Sequence, residues 1–252
     1  MQNTLTPEHD RLDETLVALG IFATRSRARD AILRGAVRVD GRVATKPGAT
    51  IPADSVLVVD DPAADYVSRA ALKLLAGLDH FSLSPRGCVA LDIGASTGGF
   101  TQVLLERGAA RVFAIDVGHG QIDRRIAADP RVTVIEGLNA RDLTPAQLDG
   151  GAPGFLVCDV SFISLKLALP PALALAAPGA KGIFLVKPQF EAGRTNIGKG
   201  GLVDPALGPR IAADLQAWLD AQPGWRGLGV APSPIDGGDG NREFLLAGEK
   251  AA

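Results

Sequence analysis

The chain has 252 residues, 46% of them hydrophobic and 21% charged, the balance of a globular protein with room for one large domain or two smaller ones. A formal net charge of −2 excludes a nucleic-acid partner held by bulk charge, so such a partner needs a local basic patch. The longest charge-free run, at 167–180, falls short of the roughly 18–20 apolar residues that span a bilayer.

The N-terminal MQNTLTPEHD is polar, with no apolar signal core, so a soluble cytoplasmic protein is expected. Leu12, Leu16 and Leu19 then recur at helical spacing up to Gly20. Ser26 is placed to cap a second helix carrying Ala28, Ala31, Ile32 and Leu33, with Gly35 as its stop. In VRVDGRV, apolar and polar residues alternate around Asp40-Gly41, a hairpin turn signal. The first segment therefore reads as a small α+β module of two helices and a short hairpin.

Its charge is concentrated. Between residues 25 and 46 lie Arg25, Arg27, Arg29, Arg34, Arg38, Arg42 and Lys46, against only Asp30 and Asp40. Charge runs are usually solvated faces. Here four arginines crowd one short helix and two border the hairpin, an arrangement suited to phosphate contacts along RNA. The elements Arg11-Leu12-Asp13, Ser26-Arg27, Ala31, Gly35, Val37-Arg38-Val39, Asp40-Gly41 and Lys46-Pro47 resemble the alpha-L RNA-binding module first known from small-subunit ribosomal protein four. The resemblance implies structured RNA as partner and adds Arg11 to the contact candidates.

The acidic, proline-bearing DDPAAD at 60–65 reads as a linker, with one domain over 1–62 and a second over 63–252. In the second, apolar β-like runs at CVALDIG, RVFAIDV, VTVIEG, GFLVCDV and KGIFLVK alternate with plausible helices. The prolines at 170 and 171 open one buried helix. The pattern predicts a parallel, doubly wound α/β sheet. GLGVAPSPI and REFLLAG, joined by GGDGN, predict a closing hairpin. Five βα units and a late antiparallel strand are the layout of seven-stranded, Rossmann-like methyltransferases that use S-adenosylmethionine (SAM). Cys88 and Cys158 sit in apolar runs and read as core thiols. The three histidines are too far apart in sequence for a metal site.

LDIGASTGGFT at 91–101 admits several readings. Gly94-x-Ser96-x-Gly98 fits a hydrolase nucleophile elbow, but the elbow would follow the first strand of the sheet and the only later histidine is His119, just after the next strand. A dinucleotide fingerprint would need glycine at position 96. A loop that wraps SAM tolerates Ser96 and Thr97, with Asp92 near the amino acid part and Asp116, ending the second strand, near the ribose hydroxyls. A glycine loop without a ligand is the plain alternative.

Taken with YVSRAALKL, CDVSFIS, LVKPQFE and NREF, this motif resembles those of the FtsJ-type RNA ribose 2′-O-methyltransferases, and the set and its order resemble the TlyA family within them. Gln102 departs from the acid that the family often has there. The resemblance implies a catalytic tetrad of Lys73, Asp159, Lys187 and Glu243. It also implies a cofactor site of Asp92, Asp116, Asn139, Ala140 and the loop residues Gly94, Ala95, Ser96, Thr97, Gly98, Gly99 and Phe100. The implied reaction is SAM-dependent methylation of cytidine 2′-hydroxyls in ribosomal RNA, on the large subunit and sometimes the small one, with a bearing on capreomycin-type susceptibility. It needs no metal, and a monomer is expected.

The positions make physical sense. Asp159 and Lys187 follow the fourth and fifth strands, and ligands bind beyond the carboxyl ends of such strands. A lysine base must be neutral to accept a proton, and burial and a nearby ammonium both favour that. Lys187 is the expected acceptor. Arg194 and Lys199, in the glycine-rich run after Lys187, are candidates for RNA contact, a plain surface loop being the alternative. Phe162 beside Asp159 is expected in the core, with stacking on a splayed base as the alternative. Two other functions are set beside the enzyme: an RNA-binding protein with a silent methyltransferase fold, and a membrane-active haemolysin.

Overall fold

The computed structural model describes residues 9–252, so residues 1–8 of the polar N-terminal segment, and the side chain of His9, lie outside the described residues. The chain divides into two compact units between Asp65 and Tyr66.

The small unit contains β1 (His9–Arg11), α1 (Leu12–Ala18), α2 (Arg25–Leu33), β2 (Val37–Val39), β3 (Arg42–Val43), β4 (Thr50–Pro52) and β5 (Leu57–Val59). Leu12 and Leu16 of α1 and Ala28, Ala31 and Ile32 of α2 are fully buried in one cluster with Phe22, Val37 and Ile51. Leu19, the residue that caps the end of α1, and Leu33, the last residue of α2, are exposed instead. Thr24, not Ser26, caps α2, accepting a hydrogen bond from the Arg27 amide. The expected Asp40-Gly41 turn joins β2 to β3, with both residues at positive φ as a two-residue hairpin loop requires. The sequence reading missed β5, which pairs with β2 on its other side, and the β1–β4 pair.

The stretch read as a linker is packed into this unit. Asp61 is nearly buried and binds the Arg34 guanidinium at 2.8 and 3.0 Å, and Ala63 is buried with its carbonyl accepting from Arg27.

The large unit is a seven-stranded sheet. Its elements in order are α3 (Ala71–His80), β6 (Val89–Ile93), α4 (Gly99–Glu106), β7 (Arg111–Asp116), α5 (Arg124–Ala127), β8 (Val132–Glu136), β9 (Phe155–Cys158), α6 (Leu165–Ala168), α7 (Pro170–Leu175), β10 (Lys181–Val186), α8 (Pro188–Glu191), α9 (Gly208–Asp220), β11 (Trp225–Pro232) and β12 (Phe244–Lys250). The strand order is β8-β7-β6-β9-β10-β12-β11, with β12 alone running against the others. Side chains alternate between faces along each strand, and the burial follows that period. Leu91, Ile93, Phe113, Ile115, Leu156 and Phe184 pack with residues of α6, α7 and α9. Ala90, Val112, Phe155, Val157, Ile183 and Leu185 pack with α3 and α4. Both faces are covered, which is why these strands read as continuous apolar runs. Cys158 is buried as expected, but Cys88, just before β6, is only half-buried.

Where β6 separates β7 from β9 the sheet changes direction of winding, and a crevice opens beyond the strand ends at such a point. At the far edge, the Lys250 ammonium donates to the carbonyls of Leu173, Ala174 and Ala176, satisfying acceptors that the end of α7 leaves free.

Candidate active site

The crevice is an open cleft of about 800 Å³ whose lining includes Gly94, Ser96, Asp116, Asn139, Ala140 and Asp159. Four loops, following β6, β7, β8 and β9, supply these residues. Gly94 holds two of the loops together. A Cβ there would lie 2.6 Å from the Asp159 carbonyl oxygen, and its φ is +82°, so any side chain would force the loops apart. Asp116 accepts hydrogen bonds from the Ser96 amide at 2.8 Å and the Gly118 amide at 2.7 Å. Ser96 bonds Gln121 through its hydroxyl at 3.2 Å. Among the described residues no histidine activates that hydroxyl, which removes the physical basis of the hydrolase reading.

Other loop residues sit behind the cleft. Gly98 and Gly99 make room for neighbours, since a Cβ would approach Ile126 and Ser68 at 3.1 and 2.9 Å. Phe100 is buried in the cluster under α3, so it faces the core and does not line the cleft. Ala95 is likewise buried, and Thr97 holds the Asp123 amide through its carbonyl. Asn139 caps the turn after β8 by accepting from the Arg141 amide.

Asp92 lies fully buried below the loop. One carboxylate oxygen accepts from the Thr101 hydroxyl at 2.6 Å, and the other has no hydrogen-bond partner among the described residues. Burial pushes its pKa up to about 7, helped by the nearby carboxylates of Asp159 and Asp116 and opposed by Thr101. This has a consequence for stability. As pH rises from 3.8 towards about 7, the unfolded chain ionises Asp92 before the folded one does, so Asp92 withdraws stability across that window and none further above it. Denaturant midpoints of wild type and Asp92→Asn, compared from pH 4 to 8, are expected to diverge through the window in favour of the variant and run parallel above it. A difference that stays constant with pH would contradict the raised carboxyl.

The four tetrad positions form two ion pairs. Lys73 occupies the apolar face of α3 with Ala71, Leu74, Gly77 and Leu78, and is 5% exposed. It meets Glu243, 4% exposed, at 2.5 Å. Lys187 meets Asp159 at 2.6 Å and donates to the Ser161 hydroxyl at 2.9 Å. Burial raises the Glu243 carboxyl above its ordinary range, and the Lys73 and Lys187 ammonium groups act against that rise. The antiparallel entry of β12 brings Glu243 to the edge where the parallel strands end.

A second pocket of about 420 Å³ adjoins the first. Lys187 and Glu243 line it, together with Ser161, Phe162, Gln189 and Asp239. Phe162 is 91% exposed, against the expectation of a core residue. The turn after β9 puts its backbone at φ +65° and leaves the ring outside, 5.2 Å from that of Phe190. Glu191 fastens this turn, accepting from the Ser164 hydroxyl at 2.6 Å and the Leu165 amide at 2.7 Å. The sequence reading missed Ser161, Thr101, Gln121, Gln189 and Asp239. Four of these stood inside quoted motifs (LDIGASTGGFT, CDVSFIS, LVKPQFE and GGDGN), but the partners of Ser161, Gln189 and Asp239 are distant in sequence.

Arg194 and Lys199 are exposed on the loop after α8. That loop is tied down. Ile197 and Val203 bridge across it, and buried Asn241 accepts from the Val203 amide and donates to the Gly201 carbonyl.

In the small unit the basic residues separate into two groups. Arg11, Arg25, Arg29, Arg38, Arg42 and Lys46 are exposed. The first three converge on the buried Asp13 carboxylate at 3.2, 2.8 and 3.7 Å. Burial pushes that carboxyl up, and hydrogen bonds from Arg11 and Arg25 more than reverse the effect, leaving it below the usual range. Arg34 is different. Its side chain is 13% exposed and held by Asp30 and Asp61, so it stabilises the unit and is not available to an RNA backbone. Arg27 is half-buried, its guanidinium on the Ala63 carbonyl.

A sheet of this order, with a cleft at the winding switch and two Lys–carboxylate pairs beside it, defines a methyltransferase of the seven-stranded class, here joined to an RNA-binding module. Residues 66–250 match the FtsJ-like methyltransferase family and residues 10–57 match the S4 domain. The chain belongs to the FtsJ-like methyltransferase family, in its TlyA branch. It is 45% identical over 94% of its length, and 88% of the relative's, to the 16S/23S rRNA (cytidine-2′-O)-methyltransferase TlyA of Mycobacterium tuberculosis. Hemolysin A of Brachyspira hyodysenteriae is 39% identical, over 93% of this chain and 98% of the relative. A solved structure from Streptococcus thermophilus, named as a hemolysin, is 39% identical with a TM-score of 0.74, covering 97% of this chain and 89% of its own. No helix among the described residues is long and apolar enough to cross a membrane.

Proposed function

We propose that this protein transfers a methyl group from SAM to the 2′-hydroxyl of a cytidine in ribosomal RNA. The observation that carries this reading is the pair of ion pairs, Lys73–Glu243 and Lys187–Asp159, which present Glu243 and Lys187 to one pocket next to the cleft. The cleft suits a cationic cofactor, since Asp116 and Asp159 line it and Asp92 lies buried beneath it with no ion pair among the described residues. Asp116 would hold the ribose hydroxyls through lone pairs left by Ser96 and Gly118. Gly94, Ala95 and Ser96 would follow the amino acid part, and Asn139 and Ala140 the adenine. SAM supplies a methyl group on a sulfonium, a good leaving group.

The protein then has two tasks: to align the hydroxyl with that methyl and to receive one proton. Lys187, in its neutral form, accepts the proton, and Asp159 and Ser161 fix the position of its Nζ. Lys73 and Glu243 shape the pocket wall and orient the ribose. Phe162, exposed at the rim, offers a ring face to an unstacked base. Arg11, Arg25, Arg29, Arg38, Arg42 and Lys46 contact phosphates of folded rRNA, as do Arg194 and Lys199 of the large unit. Asp13 and Glu14 orient Arg11, Arg25 and Arg29 without cancelling them, being two carboxylates among three cations. The protein works as a monomer on ribosomal subunits in the cytoplasm.

Labelled-methyl SAM, incubated with the protein and unmethylated small or large subunits in turn, tests the reading. Label is expected in 2′-O-methylcytidine from at least one subunit. Label on a base, or none on either subunit despite SAM binding, would refute it.

A further inference from the structure

The pocket beside the tetrad contains a carboxylate that the methyl transfer does not use. Asp239 lies on the loop between β11 and β12, is exposed, and lines this pocket. It is held from two sides. One oxygen accepts from the Asn241 amide at 3.1 Å and the other from the Gln189 side chain at 3.0 Å. Gln189 follows Lys187 by two residues and is 9% exposed. Among the described residues its own carbonyl oxygen has no partner, so Asp239 sets the direction of the amide. An ionised carboxylate only accepts, which draws the NH₂ group towards it and turns the carbonyl away. Asp239 makes no ion pair among the described residues. A carboxylate has about four acceptor positions, so about two remain on a rigidly placed group beside the ribose-orienting residues.

We infer that Asp239 reads the target base by accepting a hydrogen bond from the exocyclic amino group of cytosine, with Gln189 as the residue that positions it. The inference rests on the cytidine methylation proposed above and supplies its base selectivity. Cytosine offers N4–H₂ where uracil offers O4, so a fixed acceptor favours the first and repels the second. The neighbouring charges agree with this assignment. Lys187 and Glu243 on the same wall already face partners of opposite charge, which leaves Asp239 as the acceptor directed at the substrate.

The test compares ribosomal subunits carrying the target cytidine with subunits rebuilt with uridine at that position, read as 2′-O-methylated nucleosides. Wild type is expected to methylate cytidine at least about tenfold faster than uridine, the discrimination one well-made base contact provides. Asp239→Asn can turn an NH₂ group towards O4, and the ratio is expected to fall to within about threefold, chiefly by a gain on uridine. Gln189→Leu, which frees the carboxylate to move, is expected to shift the ratio the same way by less. SAM affinity of each variant, measured separately, reports whether its fold is intact, and Gln189→Leu carries the test if Asp239→Asn does not fold. The inference is overturned if wild type does not discriminate, or if the folded variants slow both substrates equally while the ratio stands. Those results leave cytidine methylation in place. Wild type that methylates neither substrate on ribose removes the proposed function and this inference with it.

Discussion

Lys187→Ala is expected to lower methyl transfer by about 10³-fold, the loss that follows removal of a positioned proton acceptor, while SAM affinity is unchanged or slightly better. The second half of the expectation follows from charge. SAM is a cation, and the variant removes an ammonium from Asp159 without touching Asp116, Ser96 or Gly94. The informative companion is Lys187→Arg. A guanidinium can keep the ion pair with Asp159, found at 2.6 Å for the lysine, but it does not become neutral in proteins. If Lys187 supplied only positive charge, the arginine variant would retain most of the activity. If it is the proton acceptor, arginine cannot replace it, and Lys187→Arg should be nearly as slow as Lys187→Ala. Single-turnover rates on subunits, alongside SAM binding by calorimetry, separate the two roles. Rapid turnover by either variant would remove Lys187 from the proton path.

Lys73→Met is expected to cost about 3–5 kcal/mol of stability, because it strands Glu243 as a buried carboxylate without its cation. Glu243 is already pushed up by burial, and Lys73 is the largest influence opposing that. Without it the folded-state value rises further. The variant should then lose stability as pH rises from the unfolded carboxylate value through the raised folded one, a slope that wild type shows more weakly. Lys73→Met combined with Glu243→Leu replaces the pair by apolar groups and should recover most of the stability. It should recover no activity, since neither group is left to orient the ribose. Urea denaturation at pH 5 and 8, paired with the subunit assay, reads both effects. A double variant that regains activity would show the pair to be scaffolding only. One that remains as unstable as Lys73→Met would show that the cost lies in packing, not charge.

Much of the site was legible in the sequence because it is built at the ends of strands. A strand buried on both faces announces itself as an unbroken apolar run, and the first polar residue after it marks the sheet edge. Asp116 stands at such an end, the resemblance supplied Asp159 and Lys187 at two others, and the order of the runs pointed to the doubly wound sheet. Lys73 was legible through the motif it stands in, and the structure adds why it is unusual: it occupies the apolar face of α3, one place before the fully buried Leu74. The glycine loop was legible as a loop but not residue by residue. Gly94 approaches the Asp159 backbone, whereas Gly98, Gly99 and Phe100 serve packing, and nothing in LDIGASTGGFT distinguishes the two jobs.

What the chain determined by itself is local or periodic: apolar runs of period two or 3.6, the Asp40-Gly41 turn, the basic stretch between 25 and 46, and the motifs in their order. What only the tertiary structure decided are pairings between side chains far apart in sequence. Arg34 and Asp61 are 27 residues apart, Lys73 and Glu243 are 170, and Gln189 and Asp239 are 50. The exposure of Phe162 belongs with them, since an aromatic beside a strand end is buried or bare according to one backbone turn. The physical reason is common to all of these. Burial and periodicity are properties of a segment, whereas the state of a charged or polar group depends on which partner the fold brings within about 3 Å of it.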